Sequence, residues 1–512
     1  MKKYLPIILI LVIAIFFRFY KLGLTPKGFY LDESSLGYSA YSIMKTGKDE
    51  FGKSFPVFFR SFTTFQAPVY IYLLIPLYKV FGMNVWSTRL LSALAGVICV
   101  LFTYLFINKF DKKLSIICAL LLAISPWHII FSRSAYETHL ALTFLIISLW
   151  CFYKSEKSFL YFLSTGFFAG LSFLTYQSER IIVPLIFLIL IIKYKKKFSW
   201  LFITSLLVLI MIAPTMMLMT TPGFLARLNS LSIESKYWLS LYSAYFSPRY
   251  LFSLGDSAPR SSYPDLATFY VWQFPLLLIG IWQLFKNKLN KNLKFLIIIL
   301  LFISPLPASL TREPYSTIRA LPMVIPILFI IGLGVKSLPR WAKYIFGLFI
   351  ILSFGRLYLS AFKFNDHFRF QYWDYGTKEL SQELTKYKNI PIVIDNAGRI
   401  NYSQILFFTK YDPHTYQINN FEVSNNEYYT NMNRNNTKII DNIILRPINW
   451  EKDIFIEQIL VGDSNMMNDN TIKEHCLQKI FEIKGADNQT VMFVGVKTNP
   501  DAKRKYNLSR VL

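Results

Sequence analysis

Charge is scarce in this chain. Asp, Glu, Lys and Arg make up 17% of the 512 residues, and 54% are hydrophobic; soluble domains carry about 25% charge. That balance excludes an ordinary soluble enzyme, the more so because the apolar residues come in blocks long enough to cross roughly 30 Å of hydrocarbon. Cysteine is scarce as well. Of the four, Cys99, Cys118 and Cys151 fall inside apolar runs and Cys476 stands apart near the C-terminus. No CxxC or Cys/His spacing suggests a zinc site or a disulfide framework, so the thiols read as small buried hydrophobes. Also missing are a P-loop, a GxGxxG after a strand, HExxH and GxSxG. Charges within the apolar blocks are few, which argues against the ion or proton relay of a transporter. There is no internal repeat and no low-complexity linker.

What is present in excess is lysine, and the net charge is +25. A nucleic-acid partner would be one explanation, but most lysines cluster between apolar blocks, where membrane topology explains them. Eleven membrane helices are expected, at 4–20, 88–108, 114–131, 139–153, 159–175, 181–193, 199–219, 264–285, 293–311, 318–336 and 341–361. The first follows Lys2 and Lys3 and resembles a signal peptide, but its apolar run is long and no small-x-small site follows, so it reads as an uncleaved helix. With the N-terminus inside, every inner segment is lysine-rich: Lys109 with Lys112 and Lys113, Lys154 with Lys157, Lys193 with Lys195, Lys196 and Lys197, then Lys286, Lys288, Lys291 and Lys294, and finally Lys336, Arg340 and Lys343. Residues 67–82, with Pro68, Pro76 and Lys79, read as an interfacial helix on the outer surface. Counting them as a span would invert the later loops. The expected organisation is therefore a transmembrane domain over 1–362, whose first outer loop (21–87) holds the chemistry, and an extracytoplasmic α/β domain over 363–512. In the latter, strands are expected at 391–395, 439–445 and 491–497 and a helix at 400–410.

The sharpest local feature is Gly28-Phe29-Tyr30-Leu31-Asp32-Glu33-Ser34. Two adjacent acids in an aromatic setting at the membrane surface are costly to desolvate. Their bland alternative is a helix cap; their functional reading is a carboxylate that takes a proton from an acceptor hydroxyl. Glu137 lies in a short outer loop with Arg133 and His139, and Gln177, Glu179 and Arg180 form a similar cluster. Either group could be simple interfacial anchoring. Arginines on the outer side, Arg60, Arg249, Arg260, Arg312 and Arg319, run against the lysine-inside pattern, and a guanidinium suits phosphate oxygens. Arg319 is placed to meet a phosphate at headgroup depth. An ordinary snorkelling arginine is the competing reading.

In this order the features resemble the GT-C membrane glycosyltransferases, within them the protein O-mannosyltransferase and lipid A aminoarabinose transferase superfamily. Asp32-Glu33 looks like the family's first-loop acidic motif. Ala67-Pro68-Val69-Tyr70 sits where many members have Pro-Pro-Leu-Tyr, and Phe81-Gly82 with Trp86 and Arg89 looks like the stretch leading into the second span. Glu137 stands where relatives often have a second acid. Tyr245–Asp256 and Phe407–Pro413 resemble segments of a bacterial and archaeal branch. The resemblance implies a polytopic all-α membrane protein of the cell membrane, with juxtamembrane helices and a small C-terminal domain. It implies inverting transfer of a sugar from a polyprenyl-phosphate donor to a protein, lipid or glycan acceptor outside. Asp32 would be the general base, with Glu33 and Glu137 orienting the acceptor or the base. Arg319, helped by Arg249 or Arg260, would neutralise the lipid phosphate, and Arg133, His139, Arg60 and Tyr30 would shape the site. No metal, cofactor or nucleic acid is expected. The rival readings are a lipid-linked oligosaccharide flippase or exporter, an oligosaccharide polymerase or ligase, and a membrane-anchored receptor.

Overall fold

The computed structural model describes residues 4–62, 64–155, 158–193, 198–221, 235–286, 289–431 and 433–511. Lys2, Lys3, Lys157, Lys195, Lys196, Lys197 and Lys288, used above to orient the chain, lie outside the described residues. Two units emerge. A helical unit comprises Met1–Gly23, Ala67–Leu73 and Arg89–Phe364, and a mixed unit comprises Leu24–Gln66, Leu74–Thr88 and Asn365–Leu512. The stretch 24–66, which opens the expected first outer loop, thus clusters with the C-terminal residues.

A helix lies on each of the eleven expected stretches, from Leu5–Phe19 to Arg340–Leu359. Among the described residues, three helices are long and apolar enough to cross a membrane: Val85–Asn108, Lys291–Ser309 and Arg340–Phe368. A fourth is added if the bent pair Lys112–Ala123 and Pro126–Ser132, angled at 58°, is one span. The bend falls where Pro126 cannot donate to the preceding turn, so the expected run 114–131 is two helices. Shorter apolar helices include Leu5–Phe19, Pro68–Phe81 and Phe159–Thr175. The stretch 264–285 becomes helical only at Gln273, because Pro264 is followed by Asp265 at φ +58°, a left-handed residue that no helix accommodates. Helices Gln273–Lys286 and Val324–Ser337 touch backbone to backbone at Gly280, where an added Cβ would lie 1.8 Å from the Ile330 carbonyl oxygen. Small residues make such approaches possible where lipid provides no hydrophobic drive.

The mixed unit holds a six-stranded sheet and a two-stranded ribbon. The ribbon pairs β1 (Phe59–Ser61) with β2 (Thr64–Gln66). The sheet strands are β3 (Ile392–Ile394), β4 (Lys438–Ile440), β5 (Ile443–Leu445), β6 (Ile459–Asp463), β7 (Gln478–Lys484) and β8 (Val491–Lys497), in the order β4-β5-β3-β6-β8-β7. β3 runs parallel to both neighbours. Its Ile-Val-Ile sequence is buried throughout, as a central parallel strand covered on both faces requires. The expected strand 439–445 is a hairpin instead, because Asp441 at φ +52° turns the chain between β4 and β5. β6 and β7 carried no signal strong enough to be expected. One sheet face packs on Tyr38, Leu380, Leu384, Ile405, Leu406 and Tyr416, the other on Ile448, Met467 and Leu477. Each fully buried Ile or Leu contributes about 1.5–3 kcal/mol. Tyr38 belongs to helix Leu31–Thr46, so the helix that begins at the acidic pair is part of this core.

Candidate active site

In the mixed unit, Asp32 and Glu33 form the first turn of helix Leu31–Thr46, which follows Tyr30 in extended conformation (φ −65°, ψ 150°). The structure separates the two acids. Glu33 is fully buried, and its Oε2 accepts the Tyr30 backbone N–H at 3.3 Å, the reach-back half of a capping box. Asp32 and Tyr30 are part-exposed. The segment leading in is held from several sides. Asp366 accepts from the Thr25 hydroxyl at 2.7 Å and the Lys27 N–H at 3.1 Å. Gly28 sits at φ +104° with no room for a Cβ, which would lie 2.1 Å from the Trp373 carbonyl oxygen. The Phe29 ring packs on Phe407 and Phe408, with centroids 4.6 and 5.8 Å away.

Arg60 lies in the same unit and is engaged by the protein itself. Its guanidinium is buried, donates to the carbonyls of Tyr428 (3.2 Å), Asn431 (2.5 Å) and Asn433, and lies 3.6 Å from Glu422. Glu422 also holds Lys438 at 2.8 Å. Beside this cluster is a second acidic pair that the sequence reading passed over, since Asp49-Glu50 between lysines looks like a solvated turn. Both are buried. Asp49 accepts from the Tyr428 hydroxyl, the Lys53 N–H (2.8 Å) and the Phe51 N–H (3.1 Å), yet burial pushes its carboxyl up to about 6. Glu50 meets the Tyr402 hydroxyl at 3.3 Å and leaves Oε2 without a partner. Burial, with Asp49 next to it, pushes it up to about 8.

In the helical unit, Arg133 and His139 are buried. Arg133 donates to the carbonyls of Phe17 (2.8 Å) and Tyr20 (3.0 Å) and stacks 4.5 Å over the Phe362 ring, so it closes the carbonyl end of helix Leu5–Phe19. His139 Nε2 lies 3.1 Å from His128 Nε2, and His128 Nδ1 lies 2.6 Å from Arg18. An arginine only donates, so His128 accepts at Nδ1 and carries its proton on Nε2, toward His139. Arg18 also donates to the carbonyls of Leu122 (3.4 Å) and Ala123 (3.2 Å), at the end of the helix that breaks before Pro126. In an apolar surround such groups must be satisfied internally. Arg18 and His128 were not singled out in sequence, though a charge inside an apolar run is a signal in its own right. Glu137 is part-exposed and opens helix Glu137–Lys154. Glu179 opens helix Glu179–Lys193 and is buried.

The remaining arginines come from one assembly of loops. Buried Asp256 accepts from the Thr317 N–H and hydroxyl, both at 2.7 Å, and from the Ala258 N–H at 2.8 Å; burial raises its carboxyl. Thr317 in turn donates to the Ser261 carbonyl at 3.3 Å. The Tyr245 hydroxyl accepts the Ser316 N–H at 2.9 Å, and Tyr250 stacks on Tyr315 at 5.0 Å. These contacts join the segments that carry Arg249 (exposed), Arg260 and Arg319 (both part-exposed). Arg319 is paired with Glu313 at 2.5 Å. A small cleft between these loops is lined by Trp127, Asp256, Ser261, Tyr263, Thr268 and Thr317. Among the described residues no three His, Cys, Asp or Glu side chains gather to hold a metal ion.

Residues 66–218 match the family described as dolichyl-phosphate-mannose-protein mannosyltransferase, a stretch that begins after the Asp32 helix. No curated protein matches the chain in sequence. Among solved structures, the chain is similar to ArnT from Cupriavidus metallidurans in the apo state, with TM-score 0.58 and 11% identity over 97% of this chain and 98% of that one. The same protein bound to undecaprenyl phosphate matches with TM-score 0.62 and 11% identity over 96% and 98%. The Archaeoglobus fulgidus oligosaccharyltransferase in complex with Zn and sulfate matches with TM-score 0.50 and 12% identity over 90% and 68%. The fold of this chain, apolar helices with a C-terminal sheet region, is similar to that of ArnT.

Proposed function

We propose that this protein is an inverting glycosyltransferase of the cell membrane that moves a sugar from a polyprenyl-phosphate donor to an acceptor on the outer face. The N-terminus would be inside and residues 363–512 outside, an orientation supported by the lysine-rich inner segments. The donor class is supported by the fold shared with a structure bound to undecaprenyl phosphate and by the mannosyltransferase family match. The acceptor is a protein, a lipid or a cell-surface glycan.

The observation that carries the chemistry is the division of labour in the first turn of helix Leu31–Thr46. Glu33 is buried and engaged with the Tyr30 N–H, while Asp32 keeps part of its surface open. Asp32 is the general base. Its carboxylate takes the proton of the acceptor hydroxyl as that oxygen attacks the anomeric carbon. The bond from that carbon to the phosphate oxygen breaks, and its electron pair leaves on the lipid phosphate. Attack opposite the leaving group inverts the anomeric centre. Glu33 holds the helix start, and Glu137 orients the acceptor. Arg319, with Arg249 and Arg260, compensates the charge on the phosphate, an electrostatic role that supplies several kcal/mol. Deletion of the protein is expected to remove one class of glycoconjugate from the cell, and re-expression of the Asp32→Asn protein is expected not to restore it. Full restoration by Asp32→Asn sinks the assignment of the base. Accumulation of untranslocated lipid-linked sugar on deletion would favour a flippase instead.

A further inference from the structure

The first turn of helix Leu31–Thr46 is held by more than its own residues. Asp374 Oδ2 accepts the Leu31 N–H at 3.1 Å, the backbone donor immediately before Asp32. The same oxygen accepts from Gln404 Nε2 at 2.9 Å, and that amide nitrogen also donates to the Phe29 carbonyl at 2.8 Å. Gln404 is buried with no exposed surface, and its Oε1 has no partner. One turn later the Ser34 hydroxyl lies 2.7 Å from that of Ser403.

Two features of this arrangement go beyond helix capping. Glu33 already reaches back to the helix start and supplies a negative charge to the helix dipole. A third carboxylate from over three hundred residues away adds like-charge repulsion to a turn that holds Asp32 and Glu33. Asp374 also sits in the left-handed region (φ 53°, ψ 41°), which aspartate and asparagine visit more readily than other side chains. A carboxylate fixed there by a buried amide defines one position for the Leu31–Asp32 backbone.

We infer that Asp374 and Gln404 are positioning residues that set the placement of the Asp32 carboxylate, an inference that rests on the reading of Asp32 as the base. A base must meet its proton within hydrogen-bond reach, and small displacements cost orders of magnitude in rate. The C-terminal residues would then act on the chemistry by orienting its base.

The test uses the full-length protein. Each variant is expressed in cells that lack the chromosomal copy, and recovery of the glycoconjugate lost on deletion is quantified. Hydrogen exchange of the purified proteins reports the amides of residues 31–35 and those of β6 and β8. Asp374→Ala is expected to lower recovery at least 10-fold and speed exchange at Leu31 about 10-fold, with β6 and β8 unchanged. Asp374→Asn keeps an acceptor for the Leu31 N–H and is expected to recover to within about 3-fold of wild type. Gln404→Ala should fall between the two. Asp32→Asn is expected to be inactive with unaltered exchange. Full recovery by Asp374→Ala and Gln404→Ala beside an inactive Asp32→Asn overturns the positioning roles and leaves the base in place. Full recovery by Asp32→Asn overturns the base itself. If Asp374→Ala also loses protection in β6 and β8, Asp374→Asn and Gln404→Ala decide: loss of recovery in Gln404→Ala with β6 and β8 protected supports positioning, and wild-type recovery in both overturns it.

Discussion

The mixed unit carries the same dipeptide twice, Asp32-Glu33 and Asp49-Glu50, and the two pairs have opposite fates. The first begins a helix, with one acid engaged at the cap and the other partly open. The second is sealed among Tyr402, Tyr428, Arg60, Glu422 and Lys438, with both acids buried. A carboxylate in the first setting can meet a substrate. In the second it is a structural group whose charge burial opposes. The difference teaches that the raised carboxyls of this unit, at about 6 and about 8, belong to its packing and do not mark the proposed base.

The comparison breaks most decisively on activity. Asp32→Asn is expected to lower sugar transfer by about 10³-fold, within the range for a lost general base, while Glu50→Gln stays within about 3-fold. Equal losses in membrane-vesicle assays would erase the distinction. The next effect is on pH-dependent stability. Glu50 rises from an ordinary 4.5 to about 8 on folding, so between those values the folded chain holds a proton that the unfolded chain has released. Stability from this group is therefore greatest at low pH and is lost as pH rises from about 4.5 to about 8. Glu50→Gln removes that loss and is expected to stabilise the mixed unit at pH 9 by up to about 5 kcal/mol relative to wild type. Thermal unfolding followed from pH 5 to 9 checks it, and parallel curves for variant and wild type would refute it. Arg60→Ala removes the guanidinium that holds the carbonyls of Tyr428, Asn431 and Asn433 and half the charge facing Glu422. It is expected to cost about 3 kcal/mol, read as faster proteolysis of the 420–438 segment. Ser403→Ala removes one buried hydroxyl contact to Ser34 and is expected to cost about 1 kcal/mol, the smallest of the set.

Much of the helical unit was legible because apolar blocks and lysine clusters are properties of composition along the chain. The departures have local causes. Pro126 breaks the expected 114–131 helix, and Pro264-Asp265 delays the next one to Gln273. The mixed unit was legible only in outline. Apolar runs marked β3, β8 and helix Tyr402–Thr409, but β6 and β7 lacked a clear pattern, and the Asp441 turn that splits β4 from β5 hides inside a single apolar run. For the proposed site, Tyr30, Asp32 and Glu33 stood out as a motif, whereas Asp374 and Gln404, which hold the same turn, are single polar residues among aromatic and apolar ones. His139 was picked out as a site-shaping side chain, and the structure gives it the buried partner His128, which in turn meets Arg18.

By itself the sequence determined that the chain carries apolar blocks suited to a membrane, roughly where its apolar helices lie, and that an acidic pair follows Tyr30. Those follow from hydropathy and from the local chemistry of caps and prolines, which act over a few neighbouring residues. Only the tertiary structure decided which acids are buried, that Arg18 and Arg133 close helix ends, and that residues 24–66 fold with the C-terminal sheet. Burial and hydrogen-bond partnership depend on groups hundreds of residues apart, and no local pattern encodes them.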